Sequence, residues 1–109
     1  MSVTKVDKSN FSEMVAKAEP VVVIDFYATD CPPCQFFAPI FRQAAEARPD
    51  LRFVKIDIDA SDALAERFKV EYTPSIVLVR QGRKIAKYDG AFDTLEQFQV
   101  WLNKKLRQT

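Results

Sequence analysis

Cys31 and Cys34 are the two cysteines of a 109-residue chain, and they lie three positions apart in Asp30-Cys31-Pro32-Pro33-Cys34-Gln35. At the start of a helix that spacing brings two Cα atoms into the range a disulfide needs. The chemistry it offers is reversible interconversion of a dithiol and a disulfide. The attacking species is a thiolate, which the N-terminal end of a helix stabilises. Cys31, just ahead of the helix, is the expected nucleophile. Cys34, one turn in, is the expected resolving thiol, attacking the mixed disulfide and releasing substrate. Resolution needs a proton acceptor, and the chain has no histidine. Asp25, the lone acid in Val-Val-Val-Ile-Asp-Phe-Tyr-Ala (21–28), is the expected acceptor, because burial raises a carboxyl pKa by desolvation and so suits it to proton transfer near neutral pH.

Blander readings compete. Two cysteines are half of a zinc site, but no histidine or further cysteine completes it within the chain, which leaves only a site shared between two chains. A structural disulfide closing so small a loop adds little stability. Asp25 could face solvent, although an acid inside so apolar a run argues for burial. Asp57 and Asp59 suggest a metal site less well than they suggest a solvated strand end and a helix cap.

These residues need a scaffold. The run 21–28 is short, β-branched and aromatic, and reads as a buried strand. From Cys34 onward Phe37, Ala38, Phe41, Ala44 and Ala45 recur on one helical face, so a helix is expected from about Pro32 to about Ala47, with a kink at Pro39. Ahead of it, 3–6 reads as an edge strand. A helix bearing Phe11, Met14, Val15 and Ala18 follows, with Asn10 and Glu13 as a capping box. Beyond it, 51–58 reads as a strand with Val54, Ile56 and Ile58 on its apolar face, then a short helix with Leu64, Ala65 and Phe68, capped by Asp59 or Ser61. Strands at 75–79 and 85–88 flank a glycine-bearing connection and read as a hairpin. Asp93, with Glu96 three residues on, is expected to cap a last helix whose stripe is Leu95, Phe98, Leu102 and Leu106. The order β-α-β-α-β-α-β-β-α implies parallel strands first and an antiparallel hairpin after them.

At this point the chain resembles the thioredoxin family over nearly its whole length. The matching residues are Asp25-Phe26, Cys31-Pro32-Pro33-Cys34, Ala38-Pro39, Lys55, Thr73-Pro74, Gly82 and Gly90. The resemblance implies an α/β thioredoxin fold, a central five-stranded mixed sheet flanked by four helices, formed by one domain over 1–109. It implies a protein-disulfide reductase working by dithiol–disulfide exchange through Cys31 and Cys34, an activity in electron transport and cell redox homeostasis. Lys55 is then the partner of Asp25, Pro74 a cis proline, and Thr73, Gly90 and Ala91 the walls against which an extended substrate lies. The expected partners are disulfide-containing proteins and a thioredoxin reductase or other electron donor. The alternative is a thioredoxin-fold interaction or redox-sensing module without turnover.

The family's usual core is Trp-Cys-Gly-Pro-Cys-Lys, and Tyr27 stands where a second tryptophan is usual. Asp30, Pro32 and Pro33 therefore reshape the site. A carboxylate beside Cys31 disfavours its thiolate, the prolines remove two backbone donors, and Pro33 is expected to push the helix start past Pro32. These effects together imply a reductant rather than an oxidant.

Composition narrows the rest. With 48% hydrophobic and 28% charged residues and a net charge of +1, the chain has the profile of an ordinary globular domain. Nothing in the charge suggests nucleic acid or a membrane surface, and no apolar run spans a bilayer. The first residues lack the apolar segment of a signal peptide. Two cysteines without such a signal imply the cytoplasm, where disulfides are mostly catalytic or transient. No bound cofactor and no metal are expected, and a monomer is.

Overall fold

The computed structural model describes residues 3–108; residues 1, 2 and 109 lie outside the described residues. Strand β1 (Val3–Lys5) leads to a short helical segment, Ser12–Ala16. Then come β2 (Val22–Tyr27), α1 (Pro32–Ala47), β3 (Arg52–Asp57), α2 (Asp62–Arg67), β4 (Ser75–Arg80), β5 (Arg83–Asp89) and α3 (Leu95–Arg107). The five strands form one mixed sheet in the order β1-β3-β2-β4-β5. β1 and β2 run parallel to β3, while β4 runs antiparallel to β2 and to β5. This is the thioredoxin fold: a five-stranded mixed sheet flanked by four helical segments.

Strand periodicity splits the core in two. From β2, Val22, Ile24 and Phe26 pack on one face with Val54 and Ile56 of β3, beneath Phe11, Val15, Leu64 and Phe68. Val23 points to the other face, where it meets Phe53, Ile76 and Leu78 beneath Phe37 and Phe41 of α1 and Phe98 and Leu102 of α3. Asp25, two residues after Val23, shares that second face by the same alternation. Parallel pairing sets it opposite Lys55 in the backbone ladder, under the start of α1. The aromatic cluster seats α1: the Phe37 ring lies 5.1 Å from that of Phe98 on α3, and the Phe41 ring 5.3 Å from that of Phe53 on β3.

The helix starts differ from the capping expected. Before Ser12–Ala16 no capping box forms; the Asp7 carboxylate accepts from the Ser9 N–H at 2.8 Å instead, and Asn10 turns back to accept from the Asp7 N–H at 2.9 Å. The segment then winds widely, with the Lys17 N–H reaching Ser12 O. At α3 the cap is Thr94, not Asp93: its hydroxyl accepts from the Gln97 N–H at 3.1 Å, while Gln97 Oε1 accepts from the Asp93 N–H at 3.2 Å. The capping logic shifts one residue along: Thr94 serves the Gln97 N–H as a cap does, while the return bond from Gln97 goes to the Asp93 N–H, one residue before the cap. At α2, Ser61 occupies the cap position without a side-chain bond; Asp57 takes the Asp59 and Ala60 N–H groups. The hairpin turns on Gln81 and Gly82, at φ +49° and +83°, the left-handed pair of a type I′ two-residue connection.

Candidate functional site

The site lies where β2 hands over to α1. Cys31 is the N-cap of α1, extended at φ −145°, ψ 98°, and Pro32 and Pro33 fill the first helical positions. The helix thus starts at Pro32, not past it. The reason is that prolines at these positions give up only N–H groups that have no helical acceptor, and their fixed φ suits the first turn. The bias against Pro32 is outweighed by the Cys34 N–H, which donates to Cys31 Sγ at 3.2 Å and closes the cap. Cys31 and Cys34 form a disulfide with Cα atoms 5.3 Å apart. Both are buried, at 7% and 4% exposure, whereas Asp30, Pro32 and Pro33 are exposed around them.

A second loop reaches the same sulfur. The Thr73 hydroxyl donates to Cys31 Sγ at 3.4 Å, and the Thr73 carbonyl oxygen lies 3.7 Å from it. The Thr73–Pro74 peptide bond is cis. The Gly90 N–H donates to Pro74 O at 2.8 Å, so the loop carrying Gly90 and Ala91 is tied to the one carrying Thr73. Ala91 is half-buried against the α1–α3 core.

Behind the disulfide, a cleft of about 230 Å³ opens between Asp25, Tyr27, Cys34, Gln35, Ala38 and Lys55. Asp25 is 5% exposed, and its Oδ1 finds no hydrogen-bond partner among the described residues. Burial pushes its pKa from 3.8 up to about 7, and the Lys55 ammonium pulls in the opposite direction with less effect. Lys55 does not close onto Asp25 as an ion pair; its Nζ lies 5.7 Å from the centre of the Tyr27 ring. Burial, then Asp57 and Asp25, raise the Tyr27 hydroxyl above its ordinary value. The arrangement provides a sulfur with two donors on it and, beside its partner sulfur, a carboxyl able to exchange a proton near neutral pH. No cluster of residues suited to a metal ion occurs among the described residues. No helix among them is long and apolar enough to cross a membrane.

Asp25, Lys55 and Cys34 therefore meet in one cleft, and Cys31 meets Thr73. Two features escaped the sequence reading. Tyr72, beside Thr73, is 64% exposed, and Phe36 is 56% exposed on the first turns of α1. The signal for Phe36 was its position off the apolar stripe of α1; Tyr72 had only its loop setting to mark it.

A thioredoxin family model matches residues 2–104. The chain belongs to the thioredoxin family. It is 36% identical over 104 residues to thioredoxin C-3 of Corynebacterium nephridii, covering 95% of this chain and 71% of that one. It is 38% identical over 98 residues to a thioredoxin-like protein of Synechocystis, covering 86% and 93%. Among solved structures, a thioredoxin of Malassezia sympodialis superposes with a TM-score of 0.83 at 27% identity, over 95% of this chain and 90% of that one. Family membership and the Cys31–Cys34 disulfide make the chain a thiol–disulfide oxidoreductase.

Proposed function

We propose that the protein is a protein-disulfide reductase in which Cys31 attacks and Cys34 resolves. The observation that carries this reading is the asymmetry of the two sulfurs. Cys31 Sγ receives the Cys34 N–H and the Thr73 hydroxyl, donors that favour a thiolate. Cys34 instead lines the cleft with Asp25. In the reduced protein the Cys31 thiolate attacks a substrate disulfide, forming a Cys31–substrate bond and expelling one substrate thiolate. The Cys34 thiol gives its proton to the Asp25 carboxylate and attacks Cys31 Sγ. The Cys31–Cys34 disulfide forms, the second substrate thiolate leaves, and two electrons have passed to the substrate. Lys55, held over Tyr27, moderates the rise in the Asp25 pKa without abolishing it. Asp30, Pro32 and Pro33 shape the rim, and an extended substrate segment lies along Thr73 with Gly90 and Ala91 as the opposite wall.

The reading extends to a monomeric, cytoplasmic, one-domain protein over 1–109 that serves electron transport and is recharged by a thioredoxin reductase or other dithiol donor. Neither nucleic acid nor membrane takes part in it. The competing reading is a redox-sensing or interaction module without turnover. Insulin reduction with dithiothreitol as electron source separates the two: catalysed precipitation of the insulin B chain is expected, and a rate equal to the dithiothreitol blank would overturn the reductase. Repeating it with a reductase and NADPH tests the donor.

A further inference from the structure

We propose that the face around Cys31 is built to dock disulfides flanked by arginine or lysine. The inference rests on the reductase reading and names its substrate class. Phe36 and Tyr72 are large apolar side chains left more than half exposed, and both belong to segments that converge on Cys31. Phe36 follows Pro32 and Pro33 by four and three positions, so on α1 the three exposed residues share one helical face, an apolar strip that starts beside Cys31. Tyr72 adjoins Thr73, whose hydroxyl touches Cys31 Sγ. Exposed aromatics at the centre of a face are what a partner buries.

The rim decides which partner. The three loops that meet here carry Asp30, Glu71 and Asp93, all exposed, and within 28–31, 71–74 and 89–94 there is no lysine or arginine. Two of the flanking cations are engaged: Lys87 donates to Lys69 O at 2.6 Å and lies 3.5 Å from Asp89, and Lys55 lies over Tyr27 in the cleft behind. Lys69, two residues before Glu71, is the exposed cation next to this rim, against Asp30, Glu71 and Asp93. The opposite end of the sheet is the reverse, with Arg80 and Arg83 at the hairpin and Lys104, Lys105 and Arg107 ending α3. The net charge of +1 thus hides an acidic redox face and a basic far end. A guanidinium satisfies both features of this face at once, stacking on an aromatic ring while facing a carboxylate, and the field steers cationic substrates in with Cys31 foremost.

The test uses two disulfide-bridged peptides that differ only in arginine or glutamate beside the cysteines. Each rate of reduction by the dithiothreitol-recycled protein is divided by its dithiothreitol-only rate. The arginine peptide should be favoured about ten-fold at low salt and markedly less at high salt, since surface attraction is screened. Phe36→Ser/Glu71→Gln/Tyr72→Ser should bring the preference to about two-fold or less, whereas Lys104→Gln at the far end should leave it unchanged. A wild-type ratio near one, or a ratio untouched by the triple variant, overturns the proposal. A second arm needs no turnover: the arginine peptide with alkylated cysteines, added to the oxidised protein, should shift the NMR signals of Phe36 and Tyr72 and not those of the far end. Shifts without insulin reduction would sink the reductase reading and leave the docking face standing; absence of shifts would sink the docking face alone.

Discussion

Burial holds the Asp25 carboxyl at a pKa of about 7 against an ordinary 3.8, so between about pH 4 and 7 the folded chain keeps a proton that the unfolded chain has lost. The folded state binds more protons across that window, so stability falls as pH rises through it and levels off above about pH 7. Below about pH 4 both states are protonated and the penalty vanishes. At about 1.4 kcal/mol per pH unit the full effect is roughly 4 kcal/mol. Asp25→Asn should therefore gain on the wild type by that order between about pH 4 and 8, read from urea unfolding at both ends; parallel stability curves for the two proteins would mean that Asp25 titrates normally. The same variant should slow resolution near neutral pH. On the other side of the disulfide, Asp30 adjoins the sulfur that the Cys34 N–H and the Thr73 hydroxyl serve. Removing that charge as Asp30→Asn should raise the alkylation rate of reduced Cys31 near neutral pH by about two- to five-fold, an effect that shrinks in salt. An unchanged rate would show that solvent screens the carboxylate fully.

The elements hold these residues by ordinary packing. Phe37, fully buried among Phe41, Phe92 and Phe98, anchors α1 three residues past Cys34. Phe37→Ala should cost about 3–5 kcal/mol in denaturant unfolding; a loss below about 1 kcal/mol would mean the cluster closes over the gap. Gly82 sits at φ +83°, where an added Cβ would lie 3.2 Å from Ala16 O. Gly82→Ala should thus cost about 1–2 kcal/mol by strain and crowding together, checked in the same way. Element order was legible because each element carries its own signal: β2 is apolar but for Asp25, α1 shows Phe37, Phe41, Ala44 and Ala45 on one face, and a glycine marks the hairpin. The caps were less legible, because neighbouring Asp93 and Thr94 both cap well and only tertiary placement chooses between them. The bounds of α1, Pro32 to Ala47, were legible from its apolar face; the later start suggested by the bias of Pro33 on Pro32 fails because that bias is local, whereas the Cys34–Cys31 bond that fixes the turn closes only in the folded loop.

Across the whole molecule, the sheet brings together residues far apart in sequence: Asp25 and Lys55 from parallel neighbours, Cys31 and Thr73 from loops 42 positions apart. The cysteine pair and its acid could be read from the sequence, since an acid in an apolar strand and two thiols at a helix start each carry a physical signal. Lys55 over Tyr27 could not, because register sets it beside Asp25 while side-chain direction turns it to the ring. Nor could the exposed Phe36 and Tyr72, whose meaning depends on which loops converge at Cys31. The division of labour between the two sulfurs is the central claim, and trapping tests it most directly. Reduced Cys34→Ser and Cys31→Ser proteins are each mixed with a disulfide-bridged protein, quenched with acid and analysed by intact-mass spectrometry. The account predicts a stable mixed disulfide through Cys31 in the Cys34→Ser protein and none in the Cys31→Ser protein; a stable adduct through Cys34 in the Cys31→Ser protein would contradict it.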